Sequence, residues 1–106
     1  MKNKFCIIKT TFDSKQSSQD MAKLLLEKKF IACAGIEEIE SWYFWEGEVV
    51  NQREFSLSVK TTTDSYKKVE KLILENHPYK IPQILQIPIQ DGFDGYLKWI
   101  DENLSS

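Results

Sequence analysis

The sequence predicts an α+β sandwich: two β-α-β halves in one chain, forming a four-stranded antiparallel sheet with helices on one face. Three observations lead there. Apolar runs of strand length alternate with segments whose apolar residues recur at helical spacing, in the order β-α-β-β-α-β followed by a last helix. The two middle strand runs meet at a glycine-containing turn, which makes them a hairpin. At 106 residues the chain can bury one core but not two, so residues 1–106 read as a single domain.

Lys4 to Thr11 carries Ile7, Ile8 and the β-branched Thr10 and Thr11, a composition that suits a strand buried on both faces. Asp13, Ser14, Ser17 and Ser18 bring helix-capping chemistry. Met21, Ala22, Leu24 and Leu25 then follow helical spacing, with Lys23, Glu27 and Lys28 elsewhere on the wheel, so an amphipathic helix runs to about Lys29. Phe30 to Ile36 is apolar and small, a strand in which Gly35 marks a bulge or a close backbone approach. Glu37, Glu38 and Glu40 interrupt it and read as a solvated edge. Strand character returns in Ser41-Trp42-Tyr43-Phe44-Trp45, and Glu46-Gly47-Glu48 turns the chain.

The returning strand alternates, with Phe55, Leu57 and Val59 on one side and Glu54, Ser56, Ser58 and Lys60 on the other, the mark of half burial. Thr61-Thr62-Thr63-Asp64 supplies caps for a helix built on Tyr66, Val69, Leu72 and Ile73, which Asn76-His77-Pro78 stops. Ile81-Pro82 is extended, and Gln83 to Ile89 forms a fourth strand that Pro88 shortens or places at an edge. After Asp91-Gly92, Tyr96, Leu97, Ile100 and Leu104 mark a short last helix. This is the order of a ferredoxin-like sandwich with a long hairpin between its second and third strands. The face without helices must meet water or another subunit.

Composition narrows the function. Fourteen Lys and Arg against sixteen Asp and Glu give a formal net charge of −2, which argues against nucleic-acid binding and against a polybasic membrane-surface protein. No apolar run approaches the ~20 residues of a membrane helix. The apolar stretch after the basic start stops at Lys9, short of the roughly 7–15 residues of a signal-peptide core, so a cytoplasmic location is expected. Cys6 and Cys33 stand alone in apolar stretches and read as buried thiols rather than a disulfide.

The aromatic run demands an explanation. Alternation sends Trp42 and Phe44 to one face, and Tyr43 and Trp45 to the other. A small sandwich can bury one of these pairs; the second has no evident home in the same chain. The expected outcome is a symmetric homo-oligomer with the hairpin laid on a neighbour's sheet.

His77, the single histidine, sits at a helix end before Pro78. It reads either as a cap on helix carbonyls or as a metal ligand or proton carrier. Cys33 is either a small buried hydrophobe or, with His77, part of a soft site for copper or zinc bridging subunits. The chain has no CxxC, HxxxH or HExxH word for a metal and no GxSxG, P-loop or GxGxxG word for catalysis. No nucleophile has a matched base in the spacing, so no enzymatic activity is expected. Lys60, at a strand end before a capped helix, is a surface lysine or an anion site.

Ala32-Cys33-Ala34, Tyr43-Phe44-Trp45-Glu46-Gly47, Val59-Lys60-Thr61, Asn76-His77-Pro78-Tyr79, Pro82-Gln83-Ile84, Pro88-Ile89 and Tyr96-Leu97-Lys98-Trp99-Ile100 follow one another in the order of a known family. Across nearly its whole length the chain resembles the CutA, or divalent-cation tolerance, family. The resemblance implies a ferredoxin-like fold assembled as a homotrimer similar to the PII signalling proteins. It implies a role in tolerance of copper and other divalent metals, with no established reaction; eukaryotic relatives are linked to acetylcholinesterase anchoring. A ligand-binding cleft between subunits would be lined by Trp45, Lys60 and Tyr79, with Cys33 and His77 as candidate metal ligands. The alternative is a non-catalytic adaptor trimer that recruits a protein partner. The chain departs from the family pattern at Lys80, which replaces an acid or amide, and at Glu37-Glu38-Ile39-Glu40, which replaces a Pro-Gly segment. It departs also at Gly35 in place of Asn and at Lys9-Thr10 in place of Cys-Thr.

Overall fold

Strand β1 (Phe5–Phe12) is flanked on both sides, by β3 (Glu48–Thr62) and by β4 (Leu85–Ile89), and β2 (Cys33–Trp45) pairs with the far edge of β3. All pairings are antiparallel, and the sheet order is β2-β3-β1-β4. Helices α1 (Lys15–Glu27), α2 (Tyr66–Asn76) and α3 (Asp94–Glu102) complete the α+β sandwich in the order predicted. The computed structural model describes residues 4–105. None of the helices described is long and apolar enough to cross a membrane.

Local chemistry sets the element ends. The Ser14 hydroxyl accepts the Ser17 N–H at 3.1 Å and caps α1. At the other end Phe30 N–H reaches Leu25 O and Lys29 N–H reaches Leu26 O, with Lys29 at φ 59°. That is the paired closure a left-handed residue permits after a helix, here made by a lysine where glycine is the usual choice. The hairpin turn places Glu46 and Gly47 at φ 50° and 80°, the two positive angles of a turn whose twist matches its strands.

One face of the sheet carries the core. Cys6, Ile8 and Phe12 of β1 and Leu57 and Val59 of β3 pack against Met21 and Leu25 of α1, Val69 and Ile73 of α2, and Ile31. Burial pushes the Cys6 thiol up to about 11, as for a thiol acting as a core hydrophobe. Thr10 points into this same face, and its hydroxyl is the one buried side-chain polar atom without a partner among the described residues.

Three features depart from expectation. Glu37, Glu38 and Glu40 do not interrupt a strand: β2 is continuous from Cys33 to Trp45. Two of its glutamates are held by cross-strand partners, Glu38 with Arg53 at 2.9 Å and Glu40 with Asn51 at 3.2 Å. Second, neither aromatic pair at the hairpin is buried; Trp42 is 63% and Phe44 78% exposed, and Tyr43 and Trp45 are also exposed. The reason is topological. β1 stops opposite Phe55, so the stretch of β3 from Glu48 to Glu54 pairs only with β2 and projects as a two-stranded ribbon. The molecule extends 44 × 27 × 21 Å, and its radius of gyration of 14.4 Å exceeds the about 13 Å of a compact chain this long. Third, the helices do not all keep to one face. Packing of α3 against β3 brings Tyr96 to Cys33, which lies with Lys60 on the face opposite the core.

The segment between α2 and β4 is pinned by His77. Its ring stacks on Phe12 at 4.3 Å, its Nε2 lies 2.8 Å from Thr11 O, and its Nδ1 accepts the Tyr79 N–H at 3.1 Å. A carbonyl can only accept, so Nε2 carries the proton and Nδ1 the lone pair, and the neutral ring satisfies both bonds. Burial lowers the His77 pKa, outweighing the opposing pull of the Thr11 bond and of Asp13 and Glu54.

Two predictions arise here. Thr10→Val keeps the shape and removes an unsatisfied hydroxyl, so it raises stability by about 1 kcal/mol. The check is the denaturant midpoint at fixed protomer concentration. His77 resists a proton that the unfolded chain accepts near its ordinary value of about 6.5. Its contribution is therefore present above that pH and lost as pH falls toward the lowered folded value. Denaturant midpoints between pH 7.5 and 5 are expected to fall in the wild type and to lose most of that slope in His77→Gln.

Candidate functional site

The cross-strand register decides which side chains share the open face. Cys33 stands opposite Lys60, Gly35 opposite Ser58, Ile39 opposite Glu54, Ser41 opposite Gln52, Tyr43 opposite Val50 and Trp45 opposite Glu48. All of these lie on the face away from Leu57 and Val59. β1 and β4 continue it with Ile7 opposite Ile87 and Lys9 opposite Leu85. Two polar groups sit on this face, one midway along the long β2–β3 ladder and one at its Cys33–Lys60 end.

The first lies where the ribbon leaves the sheet. Tyr79, delivered by the segment that His77 pins, donates its hydroxyl to Glu54 Oε2 at 2.6 Å. Gln52 Nε2 donates to the Tyr79 oxygen at 3.4 Å, and the Tyr43 hydroxyl donates to Gln52 Oε1. The hydrogen bonds run in one direction, from Tyr43 through Gln52 and Tyr79 to the carboxylate, so each polarises the next. Burial, followed by the bond to Glu54 and its charge, drives the Tyr79 pKa well above the phenol range, and Tyr79 remains a donor at any physiological pH. A cavity of about 570 Å³ opens over this network, with Trp45, Thr11, Lys80 and Gln83 also in its wall. Its size is that of a small-molecule pocket.

The second group is at the start of β2. Lys60 Nζ lies 3.9 Å from Cys33 Sγ, and the Tyr96 hydroxyl lies 3.5 Å from the same sulfur. The bond to Cys33 and then burial push the Tyr96 phenol up to about 12. Cys33 is a free, half-buried thiol, and Cys6 is a free thiol fully buried in the core. Among the described residues Lys60 forms no ion pair with a carboxylate.

The expected site residues therefore fall into two sets: Trp45 and Tyr79 in one, Cys33 and Lys60 in the other. His77 joins neither as an available ligand. It supports Tyr79 from behind with both ring nitrogens engaged. Cys33 and His77 are not brought together within the chain. Cys33 is registered at Lys60, whereas Thr11, which His77 bonds, is registered at Ser56, and four residues along β3 alone span about 13 Å. No group of three or more His, Cys, Asp or Glu side chains able to hold a metal occurs among the described residues. The described residues of this chain thus do not fit a resident metal ion.

Glu54, Gln52 and Tyr96 were not singled out in the sequence. Glu54 sits in the polar register of an alternating strand, and alternation assigns that register to water. Its burial, at 6% exposure, follows from Tyr79 folding over it from 25 residues away, and no local pattern signals that.

Comparison with known proteins matches the geometry. Residues 6–103 fit the family described as CutA1 divalent ion tolerance protein. The divalent-cation tolerance protein CutA of Thermus thermophilus is 38% identical over 98 residues, covering 92% of this chain and 95% of its own. That of Pyrococcus horikoshii is 36% identical over 96 residues, covering 91% and 94%. The crystal structure of the stable CutA1 from the psychrotrophic bacterium Shewanella sp. SIB1 superposes with a TM-score of 0.95 at 33% identity, covering 100% of both chains. With the same fold and a match over nearly all its length, the chain belongs to the CutA1 divalent ion tolerance family.

Proposed function

We propose that this chain works as a homotrimer that binds a metal ion or small ligand in clefts between its subunits, as part of a response to divalent ions, and that it catalyses no reaction. The observation that carries this reading is the bare aromatic ribbon. Trp42, Tyr43, Phe44 and Trp45 each leave a large part of their surface in water, and burial is worth roughly 2 kcal/mol or more for a ring of this size. An isolated two-stranded ribbon is marginal without a third layer. The outer edge of β2 and the outer edge of β4, with Leu85 and Ile87 exposed, offer unpaired backbone and apolar surface for another copy. The count of three comes from the family resemblance.

In such an assembly a neighbour's ribbon would close the cavity at Trp45 and Tyr79 and cover the Cys33–Lys60 pair. A metal held by Cys33 would need ligands from another copy, because Lys60 and Tyr96 are the side chains near its sulfur. Binding rather than catalysis is favoured because the one imidazole has both nitrogens engaged and is not free to act as a general base. A second reading, a trimer that recruits a protein partner, is favoured by Phe93, an apolar side chain 80% exposed at the start of α3, away from the ribbon.

Sedimentation at micromolar concentration is expected to give a trimer, and Phe44→Ser with Trp45→Ser to give smaller species; a folded wild-type monomer would sink the proposal. Zinc and copper titrations are expected to show tighter binding by the wild type than by Cys33→Ser, and no loss in His77→Gln, whose ring nitrogens already have partners. Equal weak binding by the wild type and Cys33→Ser removes Cys33 from any metal role and leaves the small-ligand reading.

A further inference from the structure

Aspartate precedes glycine twice near the end of the chain, at Asp91–Gly92 and again at Asp94–Gly95. The main-chain nitrogen of a glycine has no Cβ beside it and can close on the carboxyl group of the aspartate before it. The fold treats the two pairs differently. Asp91 and Gly92 are exposed in the link between β4 and α3, outside any regular element. The Gly92 N–H donates to Asp91 Oδ1 at 2.8 Å, and the carboxyl carbon is one bond from that oxygen. Among the described residues neither Asp91 nor Gly92 makes a main-chain to main-chain bond in a turn, loop or cap. Asp94 and Gly95 instead begin α3. The Tyr96 and Leu97 N–H groups both donate to Phe93 O, at 2.9 and 3.0 Å, and clamp the chain across the pair. The Phe93 ring lies so close over Gly95 that a Cβ there would stand 2.8 Å from it. We infer that Asp91–Gly92 is a self-modifying link, where a succinimide forms and reopens as isoaspartate, and that α3 protects Asp94–Gly95 from the same reaction.

The reaction needs no co-reactant but water. The Gly92 nitrogen bonds to the Asp91 carboxyl carbon of the protonated acid, and the nitrogen's proton leaves with the acid's hydroxyl as water. Water then adds to one of the two ring carbonyls. Breaking the bond from nitrogen to the side-chain carbonyl restores aspartate. Breaking the bond to the main-chain carbonyl leaves the chain running through the Asp91 side chain, one carbon longer, with a free carboxylate at the branch. The mass is unchanged and nothing is oxidised. Orientation separates the two sites. In a helix each Cα–Cβ bond tilts toward the N-terminus, which carries the Asp94 carboxyl away from the nitrogen that follows it. The consequence falls on α3, which starts three residues after Asp91. That helix holds buried Ile100, sets the Tyr96 hydroxyl 3.5 Å from Cys33 Sγ and pairs Asp101 with Lys4 at 2.9 Å. A longer link loosens the hold on all three contacts at the end nearest the sheet. The carboxylate at the branch is the group that isoaspartyl methyltransferases esterify, so an enzyme of that class is the partner this site would take.

The test is to age the full-length folded protein at neutral pH and physiological temperature for several weeks. Isoaspartate is then labelled with an isoaspartyl methyltransferase and its methyl donor, and located by peptide mass spectrometry. Label is expected at Asp91 at roughly tenfold or more the level at Asp94, since misplacing reacting atoms by about 1 Å costs on the order of 10²-fold in rate. The amide variants give a second reading that does not depend on the labelling enzyme. Asp91→Asn is expected to lose ammonia and gain one mass unit as it ages, and Asp94→Asn to do so roughly tenfold or more slowly. Ageing the wild type in concentrated denaturant is expected to bring the two sites to similar rates, because the helix that protects Asp94 is gone. Equal labelling of both sites in the folded protein overturns the inference. So does an Asp91 that stays unlabelled while the denatured chain is labelled there. A preference for Asp91 that persists undiminished in denaturant overturns it as well, because the difference then belongs to the local sequence and not to the fold.

Discussion

The β2–β3 ladder is the constraint on which the rest of the molecule depends. Its register runs unbroken from Cys33 opposite Lys60 to Trp45 opposite Glu48, and the Glu46–Gly47 turn starts it. Side chains alternate between faces with a period of two, so a slip of one residue would move Leu57 and Val59 to the open side and Glu54 and Lys60 into the core. The two positive φ angles at the turn therefore decide more than the local bend. They determine that Tyr43, Trp45, Gln52 and Glu54 stand on one face and that Cys33 and Lys60 stand on the same face at the other end.

The core and the site divide the sheet between them. One face meets α1 and α2 through aliphatic side chains and stabilises the monomer. The other carries a hydrogen-bonded chain ending on a buried carboxylate, a thiol beside an ammonium, and apolar side chains in contact with water. The chain by itself leaves apolar side chains of that second face, Leu85 and Ile87 among them, exposed to water. His77 links the two faces: it stacks on Phe12 at the edge of the core while its backbone neighbour Tyr79 reaches Glu54. A residue that reads as a ligand from its type is here a structural prop, because each ring nitrogen already has a partner of the right kind.

Fold class and element order were legible because they rest on short-range patterns. Capping at Ser14, helical spacing from Met21 to Leu25 and from Tyr66 to Ile73, alternation from Glu54 to Lys60 and the edge position of Pro88 all appear in the structure. The acidic Glu37–Glu40 stretch misled because charge density was taken for a break, whereas cross-strand Arg53 and Asn51 let glutamates sit in a strand. The aromatic run was legible as surplus apolar surface. That none of it would be buried was not, because it depends on β1 ending at Phe12.

What the sequence determined by itself was the set of elements, the core face and the identity of the chemistry-bearing side chains, since periodicity, caps and turn residues act over a few positions. Only the tertiary structure decided which of those side chains meet. Tyr79 finds Glu54, Tyr96 finds Cys33, and Cys33 stays apart from His77 because contacts between residues 25 to 63 positions apart are set by strand order and helix packing. No local pattern carries that information; it exists only once the sheet has closed in the order β2-β3-β1-β4.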